Sequence, residues 1–169
     1  MTWDAYNRRK AALREVLAIA DRRREDVTAT ELLAEVESAN QAFGTEAELL
    51  LDTQMIWYQA LSGRMDEMLT LGADDPETGA VKAWHHVAST MPGARSLLDA
   101  HDDLPELQTA FFKEHEFMAL AAGVPANHPD LDGHGARIKN LAKATFTCEP
   151  HVAPREGNFF SRMRGMRVA

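Results

Sequence analysis

A chain of 169 residues, 45% hydrophobic and 26% charged, is long enough to bury one sizeable core and too short to make two domains the default. It has no apolar run of 18 residues, no apolar stretch of signal-peptide type near Met1, and a single cysteine, Cys148. These features argue against a transmembrane helix, a secretory signal and an internal disulfide, and the expected compartment is a reducing cytosol.

The first element is predicted from Trp3 to about Arg24, capped by Thr2, with Tyr6, Leu13, Val16, Leu17 and Ala20 on its apolar face. Arg9 falls among these positions, so its stem is expected to pack while its head finds water or an acid. Thr28-x-x-Glu31 is a capping box. It opens a helix carrying Leu32, Val36, Ala39 and Phe43, and Gly44 is expected to stop it at the C′ position. Thr45-x-x-Glu48 is a second capping box. The helix it opens, from Glu46 to about Leu71, is apolar over most of its circumference and is expected at the centre of a bundle.

Asp75-Pro76 is a strong helix start. That helix runs to about Met91 with Val81, Trp84 and Ala88 inward, and a shorter helix is predicted from Ala94 to Ala100. Pro105–Val124 shows the best helical periodicity in the chain. Residues 125–135, PANHPDLDGHG, read as loop. A last helix is predicted from about Ala136 to Thr145, with Ile138, Leu141 and Ala142 to bury. The pattern disappears from Thr147. The expected fold is therefore all-α: a single-domain helical bundle of five to seven helices over residues 1–146, followed by an irregular, extended C-terminal tail over 147–169.

Glu114 is the residue that best discriminates between functions. It falls near the centre of the stripe made by Leu107, Ala110, Phe111, Phe117, Met118, Ala121 and Ala122. A carboxylate buried without partners costs several kcal/mol or more, so about that much is at stake in whether it is paired, neutral or facing water. The expected partner is Arg64, which lies in the apolar arc of the central helix, with Arg9 second. A closed pair implies a structural role. An open pocket would make Glu114, His115 and Arg64 a catalytic set, or Glu114, Arg64 and Trp57 a ligand-binding set.

Metal chemistry is not expected. No Glu-x-x-His is present and no two histidines stand three or four residues apart. Glycine-rich phosphate loops, CxxC, GxSxG and HExxH are also missing. His86 is expected in solvent and His85 at the edge of the Trp84 face. His101-Asp102, at a helix end before Pro105, reads as an acidic cap for the next helix.

Charge is distributed unevenly. Residues 66–133 carry thirteen acids and three bases, whereas residues 134–169 carry seven bases and two acids. An acidic body repels nucleic acid, and the basic tail is suited to an acidic surface. In the tail, Phe159, Phe160, Met163 and Met166 stand among Arg162, Arg164 and Arg167. Aromatic and methionine anchors among arginines are what protein interfaces favour, and an anionic membrane surface is a weaker alternative. Arginine outnumbers lysine 13 to 5, a bias associated with GC-rich bacterial genomes. The expected function is thus a non-enzymatic, bacterial, cytosolic interaction or regulatory protein. It self-associates or binds a protein partner through its tail and an acidic surface, and needs no cofactor. A small-ligand or enzymatic bundle around Glu114 is the alternative, and a metal-binding bundle the third.

Overall fold

The computed structural model describes residues 2–23, 27–70, 72 and 75–147. Among these the chain forms eight α-helices and no strand: α1 (Trp3–Arg23), α2 (Ala29–Glu35), α3 (Glu37–Ala42), α4 (Glu46–Thr70), α5 (Pro76–Thr90), α6 (Pro92–Asp99), α7 (Pro105–Ala121) and α8 (Leu131–Thr145). That is one more than the sequence pattern predicts. No described helix is long and apolar enough to cross a membrane.

The extra helix comes from a break at Val36. This residue takes an extended conformation (φ −98°, ψ 100°) and ends α2 while opening α3. Neither proline nor glycine marks the break. Val36 is buried there, and Leu32, Ala39 and Phe43 stay buried on either side. The predicted apolar face is kept by two short helices set at an angle to each other. Packing of α3 on α1, with Ser38 donating to Glu15, outweighs helical continuity at one β-branched residue.

Several ends follow local chemistry. Thr28 and Glu31 form the reciprocal capping box, and the Asp75 carboxylate accepts the Thr78 N–H at 2.9 Å ahead of Pro76. Gly123, at φ 86°, ends α7 in a Schellman motif, with Gly123 N–H donating to Leu120 O and Val124 N–H to Ala119 O. Gly44 does not play the predicted part: the cap is Phe43 in extended conformation, and the Gly44 N–H donates to the Glu48 carboxylate. The acidic cap expected of His101-Asp102 is absent too. Leu104 caps α7 without a side-chain bond, and His101 Nδ1 lies 2.7 Å from Leu97 O.

Helix α4 touches α1, α2, α5, α6 and α7, which makes it the central helix expected from its wide apolar arc. Leu49, Leu50, Trp57, Leu61 and Met65 are buried along it, and the buried apolar side chains form one cluster. The last two helices lie side by side, and their approach explains why α8 begins at Leu131 and not at Ala136. Asp130 caps it, accepting the Gly133 N–H at 3.1 Å. Gly135, read from sequence as part of a loop, is a buried packing residue. A Cβ there would run into the backbone of His115 on α7. At Gly93 a Cβ would likewise meet the backbone of Ala20 and Asp21.

These contacts give opposite expectations for three glycines. Gly135→Ala and Gly93→Ala are expected to destabilise by about 1–3 kcal/mol through overpacking against backbone. Gly63, exposed within α4 with open space around it, is expected to gain roughly 0.5–1 kcal/mol as alanine. Urea denaturation of the three variants checks the order; equal effects would refute the close approach of α7 and α8.

Candidate functional site

Glu114 is fully buried (0% exposed), as its place in the α7 stripe predicts. Its partners are not the arginines. Oε1 lies 3.3 Å from Lys139 Nζ on α8, and Oε2 accepts a hydrogen bond of 2.5 Å from Gln54 Nε2 on α4. Lys139 Nζ also sits 4.5 Å from the centre of the Phe111 ring, where a cation is attracted to the aromatic face. Burial pushes the Lys139 amine below its usual value of 10.5, opposed by the attraction of Glu114; Arg95 pushes the same way as burial. The Tyr58 hydroxyl is pushed up, first by burial and then by the Glu114 charge.

Both expected arginines are engaged elsewhere. Arg64 is partly buried and pairs with Glu67 one turn along, at 2.5 Å. Arg9 bridges Asp52 at 2.6 Å and Glu48 at 3.1 Å, with its guanidinium over the Phe43 ring. That arrangement, apolar stem packed and head on acids, is the one its sequence position predicts. Arg64 is committed to Glu67, and Lys139 and Gln54 take the place at Glu114 expected for it.

A second charged cluster adjoins the first. Arg95 on α6 is 6% exposed and lies over Trp57 and Trp84, with its carbon 4.8 and 5.9 Å from the two ring centres. It forks onto the Asp99 carboxylate at 2.7 and 2.9 Å, and Lys143 reaches the same carboxylate at 2.7 Å. Trp57 meets Trp84 edge to face at 5.8 Å. Trp57 therefore packs under Arg95, and the proposed set of Glu114, Arg64 and Trp57 is not brought together. Nor is a catalytic set of Glu114, His115 and Arg64. His115 points to Asp132, with Nδ1 2.9 Å from its carboxylate, while Glu114 points into the core.

Among the described residues no group of three His, Cys, Asp or Glu side chains is placed to hold a metal ion. His85 Nε2 lies 2.9 Å from Ala142 O, and His86 is exposed. Phe159, Phe160, Arg162, Met163, Arg164, Met166 and Arg167 lie outside the described residues, as does Cys148.

The surface carries a further feature. Between α4 and α7 runs a groove of about 580 Å³ whose walls include Leu51, Met55, Tyr58, Phe117 and Leu120. Met55 is 59% exposed, Leu120 43% and Leu51 38%. Gln54 lies at the floor, linking the groove to the buried carboxylate behind it. Comparison with protein-family models, with curated proteins and with solved structures found no match to this chain.

Sequence reasoning missed Lys139, Gln54 and Arg95. Lys139 had a signal. Gly135, Ile138, Lys139 and Ala142 stand at i, i+3, i+4 and i+7, and all four are buried. The pattern became visible only once Gly135 was counted as helix.

The pair sets a stability test. Glu114→Ala leaves a buried ammonium without its counter-charge and is expected to cost about 3–5 kcal/mol. Replacing both partners by methionine is expected to recover most of that loss; an unchanged melting temperature in the single variant would place the carboxylate in water. The Lys139 amine is expected to titrate below 10.5 by NMR of its side chain. Between that midpoint and 10.5 the unfolded chain holds the proton and the folded chain does not, so this group makes stability rise with pH there. Lys139→Met is expected to remove that contribution.

Proposed function

We propose that this protein is a non-enzymatic interaction or regulatory module of the bacterial cytosol that associates with itself or with a protein partner. Its contact elements are the C-terminal tail, the acidic surface and the groove between α4 and α7. The observation that carries this reading is the apolar strip left exposed among the described residues. Single exposed apolar residues are ordinary, but Leu51, Met55, Phe117 and Leu120 line one continuous groove. Burying such a strip is worth roughly 25 cal/mol per Å² of apolar surface.

The enclosure of Glu114 supports the same reading. A substrate would have to separate α4, α7 and α8 to reach the carboxylate. A second reading, a bundle binding a small apolar molecule, is favoured by the groove's volume and by Gln54 at its floor, since pockets of about 300–1,000 Å³ hold drug-sized ligands.

Native mass spectrometry of full-length protein over a concentration series discriminates the two. Self-association is expected in the wild type and is expected to be lost in Met55→Asp, with stability changed by less than about 0.5 kcal/mol because the site is exposed. A wild type that stays monomeric and captures no protein would overturn the interaction reading. Retention of a small apolar molecule, released by Met55→Asp, would favour the second.

A further inference from the structure

We infer that the groove between α4 and α7 is the docking site of the chain's own C-terminal segment, residues 155–169. The inference rests on the interaction reading above and names the segment that the groove receives.

The first argument is reach. Helix α8 runs antiparallel to α7: Asp132 meets His115 near its start, and Lys139 meets Glu114 and Phe111 further on. Lys143 then reaches Asp99 at the end of α6. The described chain ends with Phe146 against Trp84 and His85 on α5, at the end of the bundle where Lys143 meets Asp99. Phe159 is twelve residues beyond Thr147. An extended chain of that length spans about 40 Å, several helix diameters, enough to pass α8 and α7, which stand about two helix diameters across, and reach the groove beyond them. Pro150 and Pro154 favour an extended path.

Charge is the second argument. Asp102, Asp103 and Glu106 are exposed at the end of the bundle where α8 stops, and none of the three makes an ion pair among the described residues. The segment 155–169 carries four arginines and one glutamate.

The third argument is chemical fit. Phe159, Phe160, Met163 and Met166 supply large apolar groups, and the groove exposes Met55, Leu51 and Leu120 to meet them. At the floor, Gln54 Oε1 is buried without a hydrogen-bond partner, while its Nε2 is committed to Glu114. A short tether also raises the local concentration of the segment to the millimolar range, above that of a free partner of similar affinity. Self-association then follows as the exchange of the same contact between two copies.

The test uses the full chain with Cys148→Ala and Gly165→Cys and a nitroxide on the new thiol. At concentrations where the monomer predominates, strong broadening of the Leu51, Met55 and Leu120 amide signals is expected, unchanged on dilution with unlabelled protein. Phe159→Asp with Phe160→Asp is expected to restore those signals, and so is Met55→Asp. Broadening seen only when spin-labelled and isotope-labelled molecules are mixed would overturn docking within one molecule and leave self-association standing. No broadening in the groove of a protein that still associates would overturn the inference alone. No broadening in a strict monomer that binds no protein would overturn it together with the interaction reading.

Discussion

The carboxylate of Glu114 constrains most of this structure. It has no solvent-accessible surface, and it is met by one ammonium at 3.3 Å and one amide N–H at 2.5 Å. Each of the three groups stands on a different helix, so α4, α7 and α8 are held in one register. A slip of α8 by one turn would move Lys139 about 5.4 Å and strand both charges in apolar surroundings. Gly135, one turn earlier on α8, lets the two backbones come close enough for the bridge to form. A buried ion pair adds little net stability compared with well-packed apolar side chains. Its contribution here is the choice of one helix arrangement over its neighbours.

The second charged cluster extends that constraint to the other side of α4. Arg95 covers the faces of Trp57 and Trp84 and is anchored by Asp99, which also receives Lys143 from α8. Helix α8 thus sends one lysine to α7 and another to α6, and α6 sends its arginine across α4 and α5. The core is apolar with a chain of charges through it, not an apolar core with a polar site at its edge. Glu114, Lys139 and Arg95 are buried within that chain, whereas Asp99 and Lys143 reach the surface. On the outside, α4 and α7 leave an apolar strip exposed among the described residues.

The fold class and most helix limits were legible in the sequence because they depend on neighbours in the chain. Periodicity placed Leu49, Leu50, Trp57 and Leu61 inside, and Thr28, Asp75 and the prolines at 76 and 105 marked starts through hydrogen bonds and fixed φ angles that need no distant partner. The misreadings have a common origin. Val36 breaks a helix that its local sequence would continue, Gly135 sits inside a helix that its composition would end, and Gly44 accepts a role other than a left-handed cap. At Val36 and Gly135 contact with another helix outweighed a local preference worth about 1 kcal/mol or less, and at Gly44 the nearby Glu48 carboxylate took the backbone N–H.

The candidate site divides in the same way. From sequence alone, Glu114 was determined to be a carboxylate in an apolar stripe and so to need a partner, because burying a charge has the same cost in any fold. Which cation answers it was decided only by tertiary structure. Arg64 and Lys139 both carry a positive charge, but the rotation of α4 turns Arg64 toward Glu67 and the close approach at Gly135 brings Lys139 to Glu114. The apolar strip was equally beyond the reach of periodicity. The sequence shows α4 to be apolar almost all round, but which part of that circumference stays uncovered depends on where the other helices stop.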